Sequence, residues 1–218
     1  MRDCCGGEEV RFEGLSADYR RRLWAVVAIN AIMFAVEMTA GHLARSQALQ
    51  ADALDFFGDS LTYGLSLFVI GRGVAMRSGA AVIKGVSLGV MGLFVFGSTI
   101  YRVFVTGMPE AEVMGLVGFL ALAANLGSVG LLVRYREGDA NVRSVWLCSR
   151  NDAIGNVAVM FAAAGVWLTA TAWPDLIVAG VMSGLFVWSS VQILRQSARE
   201  WRTGGEAHPH QEHRHQHG

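Results

Sequence analysis

Lysine is almost missing from this 218-residue chain, which has Lys84 alone. Cysteine occurs three times, proline three times, and charged residues make up only 17%, against about a quarter in an ordinary soluble domain. Each scarcity excludes something. Three cysteines are too few for a disulfide scaffold. Eighteen basic and 18 acidic residues leave no net charge with which to hold nucleic acid. So little proline in a chain that is 53% hydrophobic excludes disorder over most of the length. Charge is absent altogether from residues 85–97 and 157–173. A soluble helical bundle needs a polar face on each helix, and those stretches offer none.

What is present is a series of apolar runs. About 20 apolar residues suffice to cross a bilayer, and six such spans can be read, at about 23–43, 48–71, 80–105, 113–133, 142–172 and 176–194. The fifth begins between 142 and 145. Pro109 and Pro174 fall where a helix must stop or start. Mean hydropathy is a modest +0.38 because residues 1–22 and 196–218 hold much of the charge. The fold class expected is an all-α membrane protein, a bundle of six transmembrane helices spanning 23–195. An N-terminal tail (1–22) and a His-rich C-terminal tail (196–218) flank it.

Arginine sets the orientation. Arg2, Arg11, Arg20, Arg21 and Arg22 precede the first span. Arg72 and Arg77 lie between spans two and three, Arg134, Arg136 and Arg143 between four and five, and Arg195, Arg199, Arg202 and Arg214 follow the sixth. The opposite side has Arg45 and Arg102. Positive residues stay inside, so both termini are expected in the cytoplasm. The first span has no small-residue cleavage site and is expected to be retained.

Acids interrupt these spans: Glu37 in the first, Asp52, Asp55 and Asp59 in the second, Asp152 in the fifth. A charge at the bilayer centre costs several kcal/mol, so such groups face the bundle interior or water and by default mark an ion path. Asp55 and Asp59 are four apart and share one helix face, and Asp52 joins that face by its offset of three. Carboxylates that close repel unless a cation or proton lies between them. In the fifth span Cys148, Asp152 and Asn156 repeat the four-residue spacing. Asp59 lies about 18 Å, and Asp152 about 15 Å, from the cytoplasmic end of its span at the helical rise. One site built from both helices is therefore possible. Three carboxylates and a thiolate (Asp55, Asp59, Asp152 and Cys148) suit a tetrahedral transition-metal dication. Asp52, Glu37 and Asn156 are accessory candidates. For Asp52 a plain helix–helix hydrogen bond is as good a reading. Glu37 reads equally as a proton relay or a helix contact, and Asn125 as packing glue.

These residues resemble the cation diffusion facilitator family. The resemblance begins with Asn30, Glu37 and Gly41 and continues through SQALQADALDFFGDS, which looks like that family's second-span metal pair. It is strong again in YREGDANVRSVWLCSRNDAIGNVAV, and covers about residues 23–200. It implies that Asp55, Asp59 and Asp152 hold the transported metal and that Cys148 stands where the family usually has His or Asp. A thiolate there favours Zn²⁺, Cd²⁺ or Co²⁺ over Mn²⁺ or Mg²⁺. It also implies efflux of a divalent cation from the cytoplasm in exchange for protons. The metal, most often zinc, is then a substrate, with no permanently bound cofactor. A homodimer is implied as well, as is a multi-pass location in a bacterial inner membrane. Family members commonly carry a cytoplasmic domain after the sixth span. About two dozen residues follow it here, too few for a core, so the chain reads as a short form.

The tails offer further metal ligands. His208, His210, His213, His215 and His217 crowd the C-terminus, and Cys4 and Cys5 are adjacent near the start. Imidazoles at that density chelate transition metals without a fold, and cytoplasmic thiols are reduced and able to capture soft metal. A rival function is a membrane-anchored metal sensor or buffer that does not transport and uses the His-rich tail. An intramembrane enzyme is the weakest reading; no H-E-x-x-H run supports it.

Overall fold

The computed structural model describes the backbone of residues 16–69, 74–105, 107–135 and 140–204, and side chains within 16–68, 79–105, 107–135 and 148–199. Among the described residues there are six long helices and no strand: α1 (Ala17–Leu43), α2 (Gln47–Val69), α3 (Val74–Phe104), α4 (Ala111–Leu132), α5 (Ala140–Thr169) and α6 (Trp173–Gly204). A single 3-10 turn, Val133–Tyr135, follows α4. Five of the six are long and apolar enough to cross a membrane. The one that falls outside that group is α2, which carries Asp52, Asp55 and Asp59.

Helix α1 starts at Ala17, about six residues before the apolar run does, for a local reason. Ser16 Oγ accepts from Tyr19 N at 3.2 Å and caps the helix. Asp18 and Arg22, one turn apart, pair at 2.9 Å. The buried face of α1 is Tyr19, Leu23, Val26, Asn30, Met33, Glu37 and Gly41, a run of three- and four-residue steps. Pro174 lies in the first turn of α6, where a missing N–H costs nothing.

Packing divides the helices into pairs. α1 lies chiefly on α2, α4 on α5, and α3 on α6, while α2 also meets α3, α5 and α6. The α3–α6 seam is close because glycine lines it. A Cβ on Gly92 would come within 2.8 Å of Val187 Cγ2 and 3.1 Å of its backbone nitrogen, and one on Gly85 within 2.9 Å of Leu194. Ser183 Oγ and Ser190 Oγ donate across the seam to the carbonyls of Gly92 and Gly85, at 2.8 and 2.6 Å. Small residues and serine hydroxyls are the usual means of holding helices together in lipid, where apolar burial gives little drive. Gly92→Val should therefore push the pair apart and cost about 1–3 kcal/mol, read as a lower unfolding midpoint in detergent. An unchanged midpoint overturns this account of the seam.

The ends of the bundle are tied. Beyond α1, Ser46 N bonds Gly41 O at 2.9 Å, and Arg45 takes a left-handed φ of 57° to close that cap. Asp175, buried at the start of α6, accepts from Ser46 Oγ (2.6 Å), Gln47 N (2.8 Å) and Ala48 N (3.0 Å), so α6 caps α2. At the other end Tyr135 Oη donates to Asp18 at 2.5 Å.

Candidate metal centre

Helix α2 sets Asp55, Asp59 and Tyr63 on one face at four-residue steps, and α5 does the same for Cys148, Asp152 and Asn156. The two faces meet. A small crevice is lined by Asp55, Phe56, Asp59, Asn125 and Asp152. The Asp152 carboxyl shares that crevice with those of Asp55 and Asp59. All three acids are half-buried. Tyr63 Oη donates to Asp59 Oδ2 and lies 3.5 Å from Ser149 Oγ of α5. Lys84 of α3 acts on Asp55 and Asp59 electrostatically, but at no contact distance. One Asp152 oxygen, Oδ2, is buried with no hydrogen-bond partner. Three carboxyls converging where water is scarce repel, and an unpartnered oxygen there is costly. A cation or protons would relieve both. Among the described residues, no group of three or more His, Cys, Asp or Glu side chains is gathered tightly enough to stand as a ready ligand set.

The other candidates fall elsewhere. Cys148 is absent from the crevice wall; it is half-buried against the apolar cluster of Tyr19, Leu23, Val26, Tyr63, Leu67 and Leu132, with Asp59 and Tyr63 as its polar neighbours. Asn156 is buried one turn beyond Asp152, its amide 3.1 Å from that of Asn125. Glu37 and Asp52 are both buried and form a pair of their own between α1 and α2. His208, His210, His213, His215, His217, Cys4 and Cys5 lie outside the described residues.

Three residues have roles that the sequence reading did not give them. Asn125, read as helix glue, is also crevice wall. Tyr63 bonds the acid one turn before it, and the four-residue step from Asp59 was the available signal. Asp175 had none, because its partners are far away in sequence. The run Gly85-Val86-Ser87-Leu88-Gly89 spells the G-x-S-x-G of serine hydrolases, and that pattern needs a sharp strand-to-helix turn. Here it lies inside α3, with Gly85 and Gly89 against Leu194 and Ser190 of α6.

An intramembrane helical bundle with carboxylates gathered inside it defines a class, the multi-pass proteins that handle cations. The family described as the cation efflux transmembrane domain matches residues 23–200. This chain belongs to that family, the cation diffusion facilitators, and is an integral multi-pass membrane protein. It is similar to the metal cation efflux system protein CzcD of Cupriavidus metallidurans, at 27% identity over 82% of this chain and 60% of that protein. It is similar also to the zinc transporters ZitB of Pectobacterium atrosepticum (30% identity, 84% of this chain, 62% of the relative) and Yersinia pestis (25%, 84% and 63%). The chain thus spans somewhat over half the length of these curated relatives.

Proposed function

We propose that the protein exports a divalent transition-metal cation, of the Zn²⁺, Cd²⁺ or Co²⁺ type, in exchange for protons. Asp55, Asp59 and Asp152 hold the metal, with Cys148 as the fourth donor. The observation that carries this is the convergence of the three aspartates from α2 and α5 on one crevice inside an apolar bundle. The relatives' names, zinc transporter and metal cation efflux protein, point the same way. All six helices cross the bilayer in this reading, α2 shielding its acids within the bundle, with both termini in the cytoplasm of a bacterial cell. Two copies form a homodimer.

The cycle follows from charge. Deprotonated carboxylates facing the cytoplasm repel each other, and a dication offsets that repulsion. A shift of one helix group against the other exposes the site outside. Protons then compete for the same lone pairs and displace the metal. The five tail histidines, with Cys4 and Cys5, raise metal concentration at the entrance without forming the transport site. Zinc uptake into proteoliposomes under an imposed pH gradient tests the assignment. Removing residues 208–218 should leave maximal flux within about twofold and raise the zinc concentration needed for half-maximal flux, since a tether acts on local concentration. Loss of all flux in that deletion would instead favour a metal buffer anchored by the bundle.

A further inference from the structure

The metal crevice leaves one pair of buried acids unused. Glu37 is 0% exposed and Asp52 2%. α1 and α2 run antiparallel, with Gly41 beside Leu49 and Gln50, Phe34 beside Phe57, and Val26 in one cluster with Tyr63. That register sets Glu37, on the buried face of α1, opposite the buried Asp52 of α2. Both Glu37 oxygens and Asp52 Oδ2 are without a hydrogen-bond partner.

Among the described residues, no counter-charge acts on the pair. The charged groups acting on Glu37 are Asp52 and, more weakly, Asp55, one turn along α2. From α3, Lys84 acts on Asp55 and Asp59, while none of the charges resolved on Asp52 comes from α3, α5 or α6. The α1–α4 register, fixed by Arg22 on the Leu131 carbonyl and Tyr19 against Tyr135, sets Val117 opposite Glu37. Ala48, Leu49 and Ala51 of α2 join an apolar cluster with Val95, Val159 and Phe186. A dication needs about four donors, and among the described residues no third His, Cys, Asp or Glu is gathered with the pair. A single proton needs only the two carboxyls. It removes one of two like charges and supplies the donor that the orphaned oxygens lack.

We propose that Glu37 and Asp52 form a proton-holding pair, separate from the metal crevice, that carries a proton exchanged for metal. This rests on the antiport reading above. Loaded, the pair has one proton and a charge of −1; unloaded, it has released that proton to water and bears −2. A dication settling at Asp55, one turn from Asp52, favours the −2 state, so metal entry expels the proton. Return of the proton from the other side favours metal release. Coupling thus arises between two neighbouring sites in addition to competition at one.

Glu37→Gln and Glu37→Asp, in the full-length protein, test the pair. Zn²⁺ affinity of detergent-purified Glu37→Gln should stay within about twofold of wild type, whereas pH-driven Zn²⁺ uptake and zinc-evoked proton release in proteoliposomes should fall by about tenfold or more, the scale of a lost coupling. Glu37→Asp, which keeps a carboxyl, should recover part of both. Infrared difference spectra of the purified protein add a reading independent of transport: a protonated-carboxyl C=O band at neutral pH, lost in Glu37→Gln. Wild-type coupling in Glu37→Gln, or no such band in wild type, overturns the pair. Loss of zinc affinity in Glu37→Gln overturns its separation from the metal site. Wild type that moves no zinc under a pH gradient sinks the antiport reading, and with it the exchange role. The infrared band then still decides whether the two acids share a proton.

Discussion

Asp59→Ala and Asp152→Ala should each lower pH-driven Zn²⁺ or Cd²⁺ uptake into vesicles by about 100-fold or more, because even outer-shell changes around a bound metal cost about 10- to 100-fold. Asp152 is the sharper case. Its carboxyl lines the crevice with those of Asp55 and Asp59, and it is the α5 residue on that wall. Without it the crevice keeps two acids from a single helix, too few to hold a dication against water. A second reading separates function from folding. The three carboxyls repel when no cation is present, so removing one should leave the thermal midpoint in detergent unchanged or raise it. Loss of flux with no loss of stability marks a site; loss of both marks a scaffold. Uptake that survived both substitutions unaltered would remove these aspartates from the transport path.

Much of this arrangement is legible in the sequence because it is written in periodicity. Spacings of four place Asp55 with Asp59 and Cys148 with Asp152 on single faces before any coordinates are seen. Similar depth along antiparallel spans then makes a meeting possible. The apolar runs give the helices to within a few residues at most ends. The exceptions are the starts of α1 and α3, each about six residues early, and the end of α6, which runs ten residues past the apolar stretch to Gly204; at α1 the cap by Ser16 and the Asp18–Arg22 pair extend the helix. Contacts between distant segments leave no periodic trace. Asp175 looks like an ordinary acid beside a proline, and its three partners lie 127 to 129 residues earlier. The same holds for Asn125, whose place on the crevice wall depends on how α4 rotates against α5. Cys148 shows the limit of spacing itself. It shares a face with Asp152, yet it packs against the apolar cluster of Tyr63, Leu67 and Leu132 and does not line the crevice, so a shared helix face does not by itself make a fourth donor.

Asp175→Ala should lower stability by about 3 kcal/mol, roughly a 100-fold change in the unfolding equilibrium, since each buried donor left unpaired costs about 1–3 kcal/mol. The carboxylate is 1% exposed and satisfies the first two N–H groups of α2, those of Gln47 and Ala48. Its bond from Ser46 Oγ holds that hydroxyl, which in turn accepts from Leu49 N at 3.0 Å. One acid thus serves three orphan donors at a helix start, where a negative charge is favoured by the aligned backbone dipoles. Asp175→Asn keeps one acceptor oxygen and should lose about half as much. Ser46→Ala combined with Asp175→Ala should cost less than the sum of the two, because the side chains act on the same helix end. Denaturant titration of the purified protein in detergent reads all four forms. Zinc affinity should change little, as Asp55 lies about 12 Å further along α2 at the helical rise. A melt of Asp175→Ala that overlays wild type would show that α2 begins without help from α6, and the staple between them would have no mechanical part in the bundle.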